Sequence, residues 1–275
     1  MPQKIMINGL PGNVAKMLVR HAMDDERFEL IPFSLTGPEI TEASLQEKGV
    51  TISLVGPDRR ESVINDILKE WGEFITIDFT HPAAINANAE FYCRHGIPFV
   101  MGTTGGDRQK LVDAVESSTI SAVIAPNMTK QIVGFQAMMA YAAEQFPGLF
   151  AGYHLTIEES HQQGKADTSG TARAMVGCFN RLGVDYNESD IIKVRDPEDQ
   201  KTRLGVPEAH LGGHGWHTYS LVSPDGTANF RFVHNINGRD IYAQGTFDAV
   251  LFLGDAHRRG QAGRVFSMID VLKGV

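Results

Sequence analysis

The chain has 275 residues, 42% of them apolar and 21% charged, which is the composition of a globular protein with one large domain or two smaller ones. A net charge of −8 and the lack of any Lys/Arg run argue against nucleic acid as the main partner. Two cysteines without metal-ligand spacing and no membrane-length apolar run lead us to expect no metal, no membrane association and a cytoplasmic location.

The N-terminal segment has the pattern of a dinucleotide-binding unit. A short apolar strand over 4–8 leads into a glycine turn and a helix, and the turn is a degenerate form of the dinucleotide fingerprint. The second strand, 28–33, is not followed by the carboxylate that usually holds the ribose of NAD. The missing carboxylate leaves room for a 2′-phosphate, so we expect NADPH in preference to NADH; NADH stays open, because no Arg or Lys stands at the strand end to bind that phosphate. The expected contacts are Gly9, Pro11, Gly12, Asn13, Ser34 and Thr36.

Strands and helices then alternate as far as residue 127. Apolar strands are predicted over 51–54, 74–79, 97–101 and 121–125. One helix is predicted before residue 74, and one helix between each successive pair of the last three strands. Such strands form a parallel sheet buried on both faces, which binds ligands beyond the carboxyl ends of its strands. The residues at these ends are further candidate cofactor contacts: Asp78, Phe79, Thr80, Gly102, Thr104, Pro126 and Asn127. Arg59 and Arg60, at the start of the helix over 57–71, are either solvated or able to reach a phosphate.

The second half of the chain has a different pattern. A helix over 129–146 is followed by a strand over 153–157, a helix ending near 182, and a hairpin whose strands are 215–222 and 227–234. The charged stretch between the last helix and the hairpin is typical of a solvated loop. A strand over 240–246 and a helical region to about 273 complete the chain. The sequence predicts an α/β fold, with a Rossmann-like parallel-sheet domain and a second, α+β domain with an open sheet.

The residues 158–172 hold the densest set of reactive side chains. They place His161 and Lys165 between a strand and a helix start at Asp167, Thr168 or Ser169. The first helical turn has unpaired N–H groups and a partial positive charge, and Gly170 allows close approach, so this turn is suited to a carboxylate or phosphate. His161 and Lys165 would supply a proton and a positive charge. An ordinary capped helix after a solvated loop fits the same spacing.

Several motifs together resemble the dihydrodipicolinate reductase family. They are the N-terminal glycine turn, Asp78-Phe79-Thr80-x-Pro82, Gly102-Thr103-Thr104-Gly105, Pro126-Asn127, the run from Glu159 through His161, Lys165 and Asp167 to Ser169-Gly170-Thr171-Ala172, and Gly238-Arg239 before Tyr242-Ala243. The likeness covers nearly the whole chain. It is nearer to the plant-type branch, because of Pro98-Phe99-Val100-Met101 and Glu144-Gln145-Phe146-Pro147-Gly148.

This resemblance implies an activity and roles for individual residues. The family reduces 4-hydroxy-tetrahydrodipicolinate with NAD(P)H in lysine and diaminopimelate biosynthesis. Lys165 matches its proton donor and His161 the histidine that assists it. Substrate contacts are implied for Thr104, which also contacts the nicotinamide, and for Gln162, Ser169, Gly170 and Thr171, and a cofactor contact for Arg239.

The resemblance also implies a domain arrangement. Residues 1–127 and 244–275 would form the dinucleotide-binding domain, and 128–243 a substrate-binding domain whose sheet builds a homo-oligomer, either dimer or tetramer. Hinges near 127–128 and 243–244 would let the domains close on a small cyclic dicarboxylate substrate.

Two other functions stay open at this point. Asn13 and Ala15 replace the family's usual basic residue and third glycine, and Gln162 and Thr168 replace residues of the bacterial forms. These departures motivate a related cyclic-imine reductase recruited to another pathway. The third hypothesis is a non-catalytic dinucleotide-binding regulator, against which the presence of both His161 and Lys165 argues.

Overall fold

The computed structural model describes every residue from Met1 to Val275, and the chain divides into two compact units. Unit 1 consists of Met1–Lys130 and Tyr242–Val275, and unit 2 of Gln131–Ile241. The boundaries expected from the sequence, after residues 127 and 243, differ from these by two or three residues. The chain thus leaves unit 1 once and returns to it.

Unit 1 contains a six-stranded sheet in which each pair of neighbouring strands is parallel. With strands numbered along the chain, its members are β1 Gln3–Asn8, β2 Phe28–Leu30, β6 Ile75–Asp78, β7 Phe99–Met101, β8 Ala122–Ile124 and β13 Val265–Phe266. Their order across the sheet is β13-β8-β7-β6-β1-β2. This confirms the predicted parallel sheet, although β13 was not predicted.

A second, three-stranded sheet in unit 1 corrects the prediction of one strand over 28–33. It consists of β3 Phe33–Leu35, β4 Ser44–Glu47 and β5 Val50–Val55, in the order β3-β5-β4. Pro32 separates β2 from β3, and because proline has no N–H it cannot continue a hydrogen-bond ladder. The chain therefore changes sheets at this residue. β3 pairs in parallel with β5, so that Thr36 and the residues after Val55 lie side by side.

Helices cover the sheet of unit 1 with apolar side chains. They are α1 Asn13–Met23, α2 Arg60–Trp71, α3 Ile85–Arg94, α4 Arg108–Glu116, most of α8 Asp240–Arg258, and α9 Met268–Lys273. One core cluster joins Met6 and Phe99 of the strands to Ile64, Phe91 and Leu111 of the helices. This packing fixes the strand ends at which the candidate nucleotide site lies.

The predicted strand over 240–246 is wrong, because these residues form the first turns of α8. The helical conformation places Ala243, Thr246 and Phe247 in the core. A Cβ atom at Gly245 would lie 1.8 Å from the carbonyl oxygen of Met128. Because glycine has no side chain, the helix can approach this loop closely. Helix and strand propensities alone do not reveal such a contact.

Unit 2 packs helices against an open four-stranded sheet. Its elements are α5 Lys130–Gln145, which begins in unit 1, then β9 His154–His161, α6 Gly170–Arg181, β10 Ile192–Val194, the short α7 Pro197–Asp199, β11 His214–Val222 and β12 Asn229–Asn237. The strand order is β10-β9-β11-β12, with β10 parallel to β9 and the other pairs antiparallel. Met175 and Phe179 of α6 pack on Ile157 and Tyr219 of the sheet. No helix of the protein combines the length and apolarity needed to cross a bilayer.

Candidate active site

The ends of four neighbouring strands meet at one edge of the unit 1 sheet. The main-chain N–H of Phe79 donates to Asn8 O at 3.3 Å, that of Gly102 to Asp78 O at 3.1 Å, and that of Ala125 to Met101 O at 3.0 Å. The turns after β1, β6, β7 and β8 are therefore linked to one another. This is the edge at which ligands of parallel sheets bind.

Three glycines in these turns are required by the backbone of the protein. Gly9 has φ +101°, and a Cβ atom there would lie 2.3 Å from Phe79 O. A Cβ at Gly12 would lie 2.8 Å from Gly9 O, and one at Gly102 would lie 2.2 Å from the Phe79 ring. The turn is thus compact, and it delivers the chain to the N-terminus of α1, where unpaired N–H groups favour a phosphate.

A cavity of about 710 Å³ adjoins this turn. Its lining includes Pro11, Asn13, Thr36, Thr80 and, from the start of α2, Arg60. The Arg60 guanidinium donates to Asn88 Oδ1 at 3.3 Å and lies 4.8 Å from the centre of the Phe91 ring. Arg59, by contrast, donates to Leu54 O at 3.2 Å. Of the two arginines, only Arg60 is a lining residue of the cavity, so its side chain is placed for an anionic ligand.

Ser34 and Thr36, both predicted to contact the cofactor, lie in different environments. Ser34 is fully buried, and its hydroxyl accepts from the Leu10 N–H at 3.3 Å, which supports the glycine turn from below. Thr36 lines the cavity, and its hydroxyl oxygen is buried without a hydrogen-bond partner. A buried hydroxyl without a partner is a free-energy cost that a polar ligand would remove.

Asp78 lies beneath the sheet edge at which β1, β6, β7 and β8 end, which is the candidate nucleotide edge. It is fully buried, and its Oδ1 accepts from the hydroxyls of Thr80 and Thr103 at 2.7 and 3.1 Å. Its Oδ2 accepts from Tyr92 at 2.7 Å and Asn88 at 3.0 Å. Burial and the Asp78 carboxylate raise the pKa of Tyr92 well above its usual value. Asp78 therefore organises the turns after β6 and β7 through these hydrogen bonds.

The remaining predicted cofactor residues lie in different places. Thr104 and Pro126 are exposed at the strand ends, and Asn127 is half-buried, with its side-chain oxygen accepting from Thr129 N at 2.9 Å. Arg239 belongs to unit 2, where its guanidinium packs against Gly213. Thr104 and Asn127 thus lie in the same unit as the cavity, whereas Arg239 does not.

In unit 2, β9 and α6 bring together the residues of the 158–172 stretch. β9 is longer than predicted and ends at His161, so that His161 lies on a strand rather than in the following loop. Ser169 is the N-cap of α6, and its hydroxyl accepts from Thr171 N at 3.2 Å. A Cβ atom at Gly170 would meet nothing within 4 Å. The protein itself does not require glycine there, so the open space in front of the helix start is available to a ligand.

His161 has a defined tautomer. Its Nδ1 lies 3.1 Å from the carbonyl oxygen of His214, which can only accept, so Nδ1 carries the proton. Nε2 is buried without a partner in the protein. Burial lowers the pKa of His161 to about 4, Glu159 raises it, and Arg195 lowers it. At neutral pH the ring is therefore uncharged and presents a hydrogen-bond acceptor.

Lys165 is the ammonium group of the site. Its Nζ donates to Asp167 Oδ1 at 2.8 Å, and this hydrogen bond lowers the pKa of the Asp167 carboxyl. The Lys165 N–H donates to Gln162 O at 3.0 Å, which closes a turn directly after β9. Gln162 thus contributes a main-chain contact to the loop, and its half-buried side chain lies at the strand end.

Arg195 and Gln200 were missed, because their segment has the composition of a solvated loop. The Arg195 side chain is 16% exposed and pairs with Glu159, whose side chain is fully buried. Gln200 is fully buried and donates to His161 O at 2.7 Å and Val194 O at 3.1 Å. Leu155 and Ile157 are apolar and alternate along the strand, so the same alternation would have placed Glu159 on their buried face. A buried carboxylate needs a partner, which the sequence does not name.

A row of buried imidazoles borders His161. The ring centre of His217 lies 5.2 Å from that of His161 and 4.6 Å from that of His234, and both nitrogens of His217 are buried without a partner. Burial lowers the pKa of His217 well below its usual value and that of His234 to about 4. Glu159, His161 and His217 offer ligand atoms within 4.8 Å of one another. Because Arg195 already neutralises Glu159, we assign these residues no metal.

Comparisons with known proteins agree with this geometry. Residues 3–128 match the family model described as dihydrodipicolinate reductase, N-terminus, and residues 132–272 match dihydrodipicolinate reductase, C-terminus. The chain is 45% identical over 269 residues to a probable 4-hydroxy-tetrahydrodipicolinate reductase 2 of Oryza sativa subsp. japonica, covering 98% of this chain and 82% of that protein. It is 47% identical over 269 residues to 4-hydroxy-tetrahydrodipicolinate reductase 2 of Arabidopsis thaliana, covering 98% and 77%.

A solved structure shares the fold at low sequence identity. It is the dipicolinate-bound dihydrodipicolinate reductase from Paenisporosarcina sp. TG-14, with a TM-score of 0.67, 17% identity and coverage of 97% of this chain and 98% of that one. The two-domain α/β fold is therefore shared.

The prediction of a cytoplasmic location is contradicted by the plant relatives, which are named chloroplastic. Unpaired cysteines and the lack of a long apolar segment report on redox state and membrane insertion. They do not distinguish one reducing, aqueous compartment from another.

Both family models match this chain in sequence order, and the matched ranges include the candidate nucleotide edge of unit 1 and the His161–Thr171 region of unit 2. The chain belongs to the dihydrodipicolinate reductase family.

Proposed function

We propose that the protein converts 4-hydroxy-tetrahydrodipicolinate, NAD(P)H and a proton to tetrahydrodipicolinate, NAD(P)⁺ and water, the 4-hydroxyl leaving as the water, in lysine and diaminopimelate biosynthesis. The observation that carries this function is the joint presence, in a chain of this family, of the nucleotide edge in unit 1 and of Lys165 with an open helix start in unit 2. A regulator that only senses a nucleotide needs the first feature and not the second.

Unit 1 is the proposed dinucleotide-binding domain. The pyrophosphate would lie at the N-terminus of α1, against the turn that Gly9, Pro11, Gly12 and Asn13 form. Phe79, Thr80, Gly102, Thr104 and Asn127 follow strands that end at the same edge, and they would flank the nicotinamide half. When bound, the reduced nicotinamide supplies a hydride to a C=N or conjugated C=C bond.

Within this domain we propose that NADPH is preferred to NADH. No carboxylate stands at Thr36, directly after β3, where an NAD-specific fold would bind the ribose. Arg60 lines the same cavity and supplies a guanidinium, which suits a 2′-phosphate. Glu39 also lines the cavity and would oppose this phosphate, so the proposal requires the 2′-phosphate to bind nearer to Arg60 than to Glu39.

Unit 2 is the proposed substrate-binding domain. A substrate carboxylate would bind at Ser169, Gly170 and Thr171, where the helix start favours negative charge and Gly170 leaves space. Lys165 would exchange Asp167 for the substrate and donate the proton that completes the reduction. His161, neutral and protonated on Nδ1, would accept a hydrogen bond at Nε2 from Lys165 or from a substrate N–H.

We also propose that the protein forms a homo-oligomer through the sheet of unit 2. β12 is the nine-residue edge strand of this sheet, and its side chains Phe230 and Val233 are 45% and 51% exposed. Long exposed edge strands are templates for pairing with another chain. Sedimentation would distinguish a monomer from the expected dimer or tetramer.

One coupled assay tests the reaction. A synthase generates the substrate in place, and the loss of reduced-nicotinamide absorbance is followed with NADPH or NADH. We expect turnover with both cofactors and a lower KM for NADPH. If protein shown to bind one cofactor turned over neither, the proposed reaction would be wrong. Turnover of other cyclic imines at a higher kcat/KM would favour the related imine reductase, a possibility that Gln162 and Thr168 leave open.

A further inference from the structure

The Arg195 side chain is directed at the loop that carries Lys165. Its Nε donates to Lys165 O at 2.7 Å. One terminal nitrogen donates to Glu159 O at 3.3 Å and Val194 O at 3.2 Å, and the other to Glu159 Oε1 and to Asp167 O at 3.4 Å. One guanidinium therefore binds Glu159 near the end of β9 and the carbonyl groups of Lys165 and Asp167 in the loop that follows.

Glu159 extends this arrangement to the helix start. While its Oε1 pairs with Arg195, its Oε2 accepts from Ser169 N at 2.9 Å. Ser169 is the N-cap of α6, so the same carboxylate contacts the residue that begins the proposed carboxylate site. The Arg195–Glu159 pair is thus bonded to both ends of the segment that joins Lys165 to Gly170.

We propose that Arg195 is a positioning residue for the reaction. It holds the main chain of residues 165–169 so that the Lys165 amine and the first turn of α6 keep a fixed spacing. Arg195 binds the carbonyl group of Lys165 and not its amine, so the amine stays free to exchange partners while its backbone is fixed. This inference rests on the proposed function, because it presumes that Lys165 is the proton donor.

Arginine is required for this role, and lysine is not equivalent. A guanidinium presents its N–H groups in a rigid planar fork, whereas an ammonium is a point charge on a flexible stem. A lysine at position 195 would still neutralise Glu159. It could not bind Lys165 O, Asp167 O and Glu159 Oε1 together in the same geometry.

The first test is Arg195→Lys, with Arg203→Lys as the matched control. Arg203 pairs with Glu158 at 2.8 Å and its side chain is 48% exposed. We expect Arg195→Lys to lower kcat by about 100-fold, the size typical of a reacting group displaced by about 1 Å, with the KM for NADPH nearly unchanged. The control should change neither parameter. If folded Arg195→Lys kept wild-type kcat and substrate KM, or if nucleotide binding fell as much as kcat, the proposal would be overturned.

A second pair of variants separates positioning from mere neutralisation of a buried charge. Arg195→Gln leaves Glu159 buried without a cation and should unfold at a lower temperature. The double variant Glu159→Gln with Arg195→Gln removes both charges and should recover much of that thermal stability. We expect its kcat to stay as low as that of Arg195→Lys. Recovery of kcat together with stability would show that the pair serves stability alone and would overturn the proposal.

A measurement that needs no turnover keeps this inference separate from the proposed reaction. Amide hydrogen exchange in residues 165–171 should be at least about tenfold faster in Arg195→Lys than in the wild type, with exchange in β11 unchanged. Unchanged exchange in 165–171 would contradict the proposal. If exchange is faster in Arg195→Lys while the wild type fails the coupled assay with every substrate, the loop contact is supported and the proposed reaction is rejected.

Discussion

The two candidate binding regions differ in whether main-chain turns or side chains shape them. In unit 1 the nucleotide edge is shaped by main-chain turns, where Gly9 and Gly102 fit against Phe79 with no room for a Cβ atom. In unit 2 the substrate region is shaped by side chains, with Glu159 binding Arg195 and Ser169, while Gly170 borders open space. The fold requires glycine in the first region, whereas in the second region we propose that Gly170 leaves room for a ligand. Substitutions in the two regions should therefore have different effects, chiefly on stability in unit 1 and on the reaction in unit 2.

The largest expected effect is on the reactive group of unit 2. Lys165→Met should lower kcat by about 10³-fold, within the range for loss of general acid catalysis, because no proton reaches the reduced substrate. The KM for NADPH should change less than twofold, since Lys165 belongs to the other unit. Steady-state kinetics measures both parameters. Lys193→Met, on the exposed side of β10, is the control, and an equal loss in both variants would contradict the assigned role.

Replacing Gly9 and Gly170 by alanine, one at a time, compares the two regions directly. Gly9→Ala should cost about 2 kcal/mol of unfolding free energy and weaken NADPH binding, because φ is +101° and the Cβ atom would clash with Phe79 O. Gly170→Ala should leave stability within about 0.5 kcal/mol of the wild type. It should raise the substrate KM about tenfold. Urea denaturation and kinetics measure these effects, and a large stability loss in Gly170→Ala would refute the assignment of open space to a ligand.

The buried imidazoles of unit 2 predict a pH dependence of stability. Burial lowers the pKa values of His161 and His234 to about 4 from 6.5, so the unfolded chain binds more protons between these values. Unfolding free energy should therefore fall as pH decreases from 6.5 to 4, by roughly 2 kcal/mol for each ring. Thermal unfolding across this range measures the effect. His234→Gln should flatten the curve and exposed His154→Gln should not, while a pH-independent midpoint would contradict the burial argument.

The smallest effect concerns cofactor choice in unit 1. Arg60→Gln should reduce the preference for NADPH over NADH about tenfold, since one charge-assisted contact to the 2′-phosphate is lost. Binding of 2′,5′-ADP, which carries this phosphate, should weaken in parallel. Arg59→Gln is the control, because Arg59 donates to Leu54 O instead. An unchanged ratio in Arg60→Gln would remove the support for NADPH that the cavity lining provides.

These differences explain how much could be predicted from the sequence. The parallel sheet and its meeting strand ends follow from the alternation of apolar strands and helices, and β1, β6, β7 and β8 were all predicted. The helix start at Ser169 follows from local capping chemistry. Arg195 was missed because its partner Glu159 lies 36 residues earlier in the chain, and only the fold brings them together. The start of α8 was missed because the contact of Gly245 with Met128 is also long-range.

The neutral state of His161 could not be predicted from the sequence either. Its motif identified the residue, but the proton on Nδ1 depends on the carbonyl group of His214, which β11 supplies by pairing with β9. Its low pKa depends mainly on burial in the folded protein. A motif therefore predicts which side chain is used, whereas its protonation state depends on the tertiary environment.

The last strand of the unit 1 sheet affects the order in which the protein can be completed during synthesis. β13 pairs with β8, and Ser121 bonds to Gln261 and Arg264 beside it, yet all of unit 2 is translated between the two strands. A ribosome that has made residues 1–241 has synthesised every part of unit 2, while the edge of β8 still lacks its partner. Unit 2 can therefore fold first, and the nascent sheet keeps an open edge, open to pairing with other chains, until the final residues emerge.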